Sequence, residues 1–511
     1  MSHRRKFLQG SASSVGRIVL SMLIALVLPP LLVHRMAPAE YGAWVLILQC
    51  SAYINLLDLG LQTAIGKFVA EYDAADDRIN SSRILSTSFV ILCVSALFGA
   101  AGIILVSWRV PQLFHQMPAS LFGEVQTGIL VVGLSAVIAL PFSAFLATFT
   151  GLQRYGFPTV LAMSSKLLSS AALVGLLLMH GKLVQLAWAM GIFNVGIALG
   201  QFYGWRKYAK DRVDFAFKLV EREIVVRLVK YGSVLSLWTV ATLLISGLDI
   251  IIVGHYDYKN TGYYGIASAI TNFMLLVIGG LFTPLIPAVS SLQSGRTPAE
   301  MGELTIKATR YCALLVCVFV LPLFLGAYPV LTLWVGHNYA MRSALFLQIL
   351  VLGNAIRQLG SPYSLVVIAT GKQHLATISG IAEAIVNVSI SIYLVQKVGA
   401  VGVAIGTLVG AFVSVGLHLL VSMRYTDATI TMSRRLFVSR GILRPMLCMV
   451  PSILLLPIWK WYTILPVNPF WLAACSAATL WLAWRLALTE SERRSLKDSL
   501  LRLTRWRYAR A

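Results

Sequence analysis

Charge is scarce in this chain, and acid is scarcer still. Asp, Glu, Lys and Arg make up 12% of its 511 residues, and Asp plus Glu number only 20, whereas a soluble domain carries about 25% charged residues. That shortage excludes a water-facing globular surface. Cysteine is sparse too. Cys50, Cys93, Cys312, Cys317, Cys448 and Cys475 all lie inside apolar runs, without metal-ligand or paired-loop spacing, so they read as small apolar residues and not as a disulfide scaffold or zinc site. There is no G-x-x-x-x-G-K-[ST] phosphate loop, no H-E-x-x-H, and no polar stretch longer than about 30 residues. Such a chain is expected neither to hydrolyse ATP nor to transfer sugars in a soluble domain. It is not expected to be an enzyme, and it calls for no cofactor or metal. Energy for any work must then come from an ion gradient, the membrane potential or removal of a product.

What the chain has instead is hydrocarbon. It is 58% hydrophobic with a mean hydropathy of +0.78, arranged in runs of roughly 20 residues, each long enough to cross a ~30 Å bilayer core as a helix. Fourteen such runs are predicted: 16–34, 42–65, 84–107, 125–149, 159–179, 184–204, 232–254, 262–288, 310–334, 343–369, 375–396, 401–422, 442–461 and 468–488. The fold class expected is therefore all-α integral membrane. Arg4, Arg5 and Lys6 precede a first run whose Arg35 flank lacks a small-residue cleavage motif, so that helix is expected to stay. With both termini cytoplasmic, 34 of the 42 lysines and arginines fall at or toward the inner face, Arg17 and Lys166 within the inner halves of their runs among them, seven fall at the outer face, and Arg357 lies near the middle of its run. That bias is the positive-inside pattern. It also assigns much of the +22 net charge to anionic headgroups, with nucleic acid excluded as a partner.

The pentapeptide TGLQR at Thr150–Arg154 recurs as TGKQH at Thr370–His374. At the same offset of 220, Gly42, Leu56, Gly60, Leu61, Thr63 and Val69 face Gly262, Leu276, Gly280, Leu281, Thr283 and Val289. Helices 1–6 thus read as repeated in helices 7–12. Six is even, so both halves enter from one side, and two parallel six-helix lobes would face each other across an axis along the membrane normal, with a site near the midplane. The domains expected are an N-lobe at 10–205, a cytoplasmic amphipathic linker at 206–230, a C-lobe at 231–424, two further helices within 425–488 and a basic cytoplasmic tail at 489–511. The linker and the tail each read as a helix on the inner membrane surface. The pentapeptides themselves read either as helix-ending turns or as a shared gate contact.

Three stretches carry a resemblance: YGAWVLILQCSAYINLLDLGLQTAIGKFVAEY from Tyr41, GLDIIIVGHYDYKNTGYYGIAS around Asp249, and NVSISIYLVQKVGAVGVAIGT from Asn387. They resemble the Wzx-type polysaccharide-transport flippases of the multidrug/oligosaccharidyl-lipid/polysaccharide exporter superfamily, over roughly residues 10–425, with the last two helices matching by number only. The resemblance implies a V-shaped fold like that of the MATE transporters. It also implies a bacterial inner-membrane protein that moves an oligosaccharide carried on undecaprenyl pyrophosphate from the inner to the outer leaflet, for O-antigen, exopolysaccharide or capsule. H+ or Na+ stands as coupling ion, and a polymerase and glycosyltransferases as further partners. Alternatives are a small-molecule/cation antiporter of the same superfamily, a peptidoglycan-precursor flippase, and a non-transporting scaffold for polysaccharide assembly.

Charges inside spans cost at least ~2.5–3.5 kcal/mol near the centre and face a cavity or a partner, so the site candidates are few. Arg357, in LGNAIRQLGSPYS, is a candidate pyrophosphate contact because a guanidinium binds phosphate bidentately, with Gly353, Gly360 and Pro362 expected to open the backbone. The competing reading gives it an internal partner such as Asp58 or Glu383. Lys166 and Glu383 sit at matched depth in equivalent helices, which suggests a pair across the cavity. Arg17 meets an anionic headgroup or obeys the charge rule. Asp58, Asp249 and Glu383 are the candidates for a coupling cation, Asp249 competing with a capping or snorkelling role.

Overall fold

The computed structural model describes residues 3–282, 285–292, 295, 297–450 and short stretches within 474–494. Twelve helices among the described residues are long and apolar enough to cross a membrane, and they coincide with the first twelve predicted runs. Residues 451–461 of the thirteenth run and about half of the fourteenth lie outside the described residues, as do Cys475 and most of the basic tail.

The helices used below are α1 (His3–Val33), α2 (Pro38–Ala52), α3 (Leu61–Ala74), α4 (Arg78–Trp108), α5 (Val110–Leu113), α6 (Ala119–Gly151), α7 (Gly156–Leu178), α8 (Leu183–Tyr208), α9 (Arg222–Ser246), α10 (Leu248–Tyr256), α11 (Thr261–Phe282), α12 (Leu285–Leu292), α13 (Pro298–Leu325), α14 (Ala327–Val335), α15 (His337–Ala369), α16 (Gln373–Val398) and α17 (Ala400–Leu417). The order long, short, long, long, long in α4–α8 returns in α13–α17, and α6 and α15 have 33 residues each with one internal proline.

Two compact units emerge, Met1–Phe273 with Ala384–Gly406, and Met274–Glu383 with Thr407–Ala511. The predicted 206–230 linker lies wholly within the first unit and is not a separate surface helix. After α8 ends, Phe215 and Phe217 insert into an aromatic cluster with Phe89, Phe145, Phe202 and Trp205. The backbone N–H groups of Asp214, Ala216 and Glu221 donate to hydroxyls of Ser82, Ser86 and Thr87 on α4. The Ile224 and Leu228 stripe that suggested amphipathicity belongs to the first turns of the spanning helix α9, where both are buried.

The first unit also carries a break that hydropathy does not reveal. The run around 42–65 is not one helix: α2 passes through a 3-10 turn at Tyr53–Asp58, Leu59 and Gly60 are left-handed with φ of 50° and 68°, and α3 then begins. A leucine in that region costs about 1–2 kcal/mol, and non-helical backbone at membrane depth persists only where protein or a wet cavity satisfies it. Gly232 on α9 supplies the close cover, since a Cβ there would fall 2.2 Å from the Leu59 carbonyl oxygen.

Near the start of α2 and α11 the two helices touch through residues that the repeat makes equivalent. A Cβ on Gly42 would sit 3.2 Å from Gly262 N, and one on Gly265 3.1 Å from Val45. Residue meeting its own counterpart is the signature of a two-fold axis, and because both contacts lie in N-terminal turns, the two helices start from the same face. This supports a parallel duplication.

The pentapeptides have a plainer answer. Arg154 N–H donates to Phe149 O and Lys372 N–H to Val367 O, the six-to-one bond of a Schellman cap. The left-handed residue is Gln153 in one and Gly371 in the other. The caps therefore correspond at an offset of 218, two residues out of step with the identical letters. Gly151 serves packing instead, a Cβ there falling 2.7 Å from Val69, whereas Gly371 has open space and φ of +81°.

In the second unit a core of Met301, Leu359, Tyr363, Val366, Phe437 and Ile442 binds α13 and α15 to the segment after α17. In the first, Gly402 and Gly406 on α17 admit α16 at Leu394 and Ser391, a small-residue packing of spanning helices. The five described cysteines are free thiols.

Candidate functional site

In the second unit Arg357 and Glu383 pair with each other. The Arg357 Nε–H donates to Glu383 Oε1 at 2.5 Å, with side-chain exposures of 19% and 3%. Nη1 donates to Asn354 Oδ1, and Nη2 is buried with no partner among the described residues. The internal-partner reading of Arg357 thus describes this structure, and the guanidinium keeps one donor to spare. The expected backbone opening is absent, since α15 runs unbroken through Pro362. Its glycines serve contact: a Cβ on Gly353 would lie 3.0 Å from Leu408 Cα, and one on Gly360 3.2 Å from the His418 ring.

That histidine was missed at the sequence level. His418 begins a π-turn at His418–Ser422 that follows α17 within the span Ala400–Thr426, is 6% exposed, and exchanges hydrogen bonds with Ser364 (2.9 Å) and Ser379 (3.3 Å). Ser379 is one turn before Glu383 on α16, so the imidazole network and the ion pair share a helix face. The only sequence signal was a lone histidine in an apolar run, which is more often a satisfied core residue.

In the first unit the charges are arranged otherwise. Lys166 Nζ donates to Ser21 Oγ at 2.9 Å, and Arg17, one turn earlier on α1, acts on the same charge. Neither has a carboxylate within ion-pair distance among the described residues. The suggested Lys166–Glu383 partnership is therefore replaced by two separate arrangements, Glu383 being engaged by Arg357 and Lys166 by a hydroxyl. Beside Lys166 lies a cavity of about 270 Å³ between α6, α7 and α8.

The remaining acids have distinct settings. Asp58 ends the 3-10 turn at the helix break; Gln62 bonds its carboxylate while Oδ1 lies buried without a partner among the described residues. Asp249 on α10 is 6% exposed and accepts from Tyr264 OH at 3.0 Å, which is a buried, bonded carboxylate and not a snorkelling one. No group of three His, Cys, Asp or Glu suited to a metal occurs among the described residues.

The model of the polysaccharide biosynthesis protein family matches residues 7–293. A Shigella flexneri protein named "Putative O-antigen transporter" is 19% identical over 393 residues, 75% of this chain and 90% of its own length. Among solved structures, a multidrug resistance MATE transporter of the MOP superfamily in an inward-facing conformation is 17% identical with a TM-score of 0.65, covering 83% of this chain and 100% of its own. The lipid II flippase MurJ is 15% identical with a TM-score of 0.66, covering 93% and 97%. The fold is accordingly that of MOP transporters, and these relatives are transporters and not enzymes.

Proposed function

The chain belongs to the polysaccharide biosynthesis protein family, a multi-pass membrane transporter of the MOP superfamily, and from that premise we propose that it flips a polyprenyl-pyrophosphate-linked oligosaccharide from the inner to the outer leaflet of the bacterial cytoplasmic membrane. The observation that carries this reading is the pair Arg17 and Lys166, two cations in membrane-spanning helices with no carboxylate within ion-pair distance among the described residues. An uncompensated charge at that depth is expensive and calls for an anion, and a pyrophosphate supplies one. A cationic cargo would meet repulsion there, which disfavours the antiporter alternative. A scaffold would have no use for the charges.

Transport proceeds by alternating access, with the repeats at 10–205 and 231–424 as the moving lobes and both termini cytoplasmic. Arg357 becomes a second anion contact when Glu383 lets go, its spare Nη2 offering the first bond. Asp58, with an orphan oxygen at an unwound helix, is the foremost acceptor for a coupling H+ or Na+, ahead of Asp249 and Glu383, which already have partners. The test is flipping in reconstituted vesicles loaded with a pyrophosphate-linked oligosaccharide, scored by accessibility of the sugar to an external probe. Wild type should flip and Arg17→Met/Lys166→Met should not. Undiminished flipping by the double variant overturns the anion reading, and absence of flipping by wild type overturns the function.

A further inference from the structure

The cavity beside Lys166 has a second polar feature that nothing in the fold explains. Gln201 is 7% exposed and lines the cavity, and its buried Oε1 has no partner among the described residues. Asn194, one of the other lining residues, donates to Ser135 Oγ at 3.0 Å. The close approaches of Leu161 to Gly200 and of Phe157 to Gly204 set α7 and α8 antiparallel. In that register Asn194 lies close to the level of Lys166, and Gln201 is about 10 Å further along at 1.5 Å per residue. One end of the cavity is therefore cationic and hydroxylated, by Lys166, Ser165 and Ser169. At the other end lies the Gln201 side chain, and Leu161, Ala162 and Ile197 form part of an apolar wall between them.

We propose that this cavity binds a glycosyl phosphate, Lys166 holding the phosphate and Gln201 accepting a hydrogen bond from a hydroxyl of the attached sugar ring. The inference rests on the flippase reading above and deepens it, because it assigns the sugar nearest the phosphate to a built subsite. The chemistry fits on three counts. A buried amide oxygen without a donor is costly and is satisfied by a hydroxyl, which an acyl or prenyl chain lacks. An apolar wall suits the C–H faces of a pyranose. At about 270 Å³ the space is at the small end of the ~300–1,000 Å³ of ligand pockets, so it takes one ring and leaves the rest of an oligosaccharide outside. Gln201 is thus a specificity-determining residue: sugars with a hydroxyl at its level are preferred.

The experiment uses the full chain in phosphatidylcholine nanodiscs, titrated calorimetrically with inorganic phosphate and with the 1-phosphates of glucose, galactose and N-acetylglucosamine. At least one sugar phosphate should bind about tenfold more tightly than phosphate, the scale of one or two neutral hydrogen bonds plus apolar contact. Gln201→Leu, which removes an unpaired polar group and should melt no lower than wild type, should reduce that preference about three- to tenfold while leaving phosphate affinity unchanged. Lys166→Met should weaken every ligand. Equal affinity of wild type for phosphate and for all three sugar phosphates overturns the proposal, as does an unchanged preference in Gln201→Leu. Displacement of all probes by phosphatidylglycerol in the disc, with no sugar preference, identifies a lipid headgroup site and likewise overturns it. Because flipping is not the readout, failure here leaves the transport reading standing, and failure to flip leaves the binding result intact.

Discussion

Glu383 and Arg357 should behave as a unit whose halves are worth less than nothing alone. At 2.5 Å and with exposures of 3% and 19%, the pair has little water to screen it. Removing one partner from a buried pair costs about 3–5 kcal/mol because the other is left charged and dry, while replacing both by apolar residues is often neutral or stabilising by ~1–4 kcal/mol. Arg357→Met strands the nearly inaccessible carboxylate and should sit at the upper end. Glu383→Met strands a guanidinium that retains Asn354 and a fifth of its surface, so it should cost less, and Arg357→Met/Glu383→Met should melt near wild type. The assay is thermal unfolding of the four proteins in one detergent, read as a double-mutant cycle, with flipping measured in parallel. Additive losses in the double variant would refute the coupling. The parallel flipping assay separates stability from function. A double variant that melts normally and still flips at the wild-type rate would remove Arg357 from substrate handling, and one that melts normally but is inert would keep it there.

The other expectations are narrower. Lys166→Arg should retain flipping, since position 166 needs only a cation, while Lys166→Met should lose most of it, and equal rates in vesicles would refute the anion role. Asp58→Asn should abolish the dependence of flipping on an imposed H+ or Na+ gradient without lowering the melting temperature, and an unchanged gradient response would discard Asp58 as the coupling site. Gly371→Asn should be tolerated because asparagine accepts left-handed backbone, whereas Gly151→Asn should destabilise by ~1–3 kcal/mol through overpacking against Val69. Equal losses in unfolding experiments would contradict the different tasks given to the two glycines.

The contrast between those glycines also explains how far the sequence could be read. Span positions were legible because a bilayer imposes one scale, roughly 20 apolar residues, and no packing detail is needed to see it. The duplication was legible for the same reason, as a recurrence of lengths and letters. The letters overreached in detail: TGLQR and TGKQH align at 220, but the caps they form align at 218, since a Schellman motif is defined by backbone angles and tolerates Gln153 as well as Gly371. The unwinding at Leu59 and Gly60 was hidden because hydropathy does not distinguish an apolar residue with helical angles from one without them. The contiguous apolar segment at 42–65 covered a break that packing, the close Gly232 contact included, makes tolerable.

Charges were the hardest to read, and the reason is physical. Sequence fixes the depth of a charged residue but not its rotation about the helix axis, and a partner is chosen by rotation. Lys166, Arg357 and Glu383 were legible as intramembrane charges, and matching depth favoured Lys166 with Glu383. Arg357 and Glu383 are on adjacent helices of one unit and meet by facing each other. That choice changes the functional argument more than it changes the list of residues. A cation with its own carboxylate is electrically complete and must be released before it can hold a substrate, at a cost of several kcal/mol. Lys166, held by a serine hydroxyl and with no carboxylate within ion-pair distance among the described residues, has no such cost to meet. On the proposed reading, the first contact with a pyrophosphate therefore falls at Arg17 and Lys166. Arg357 can take part only in a later state, one in which Glu383 has been neutralised by a proton or drawn to another cation.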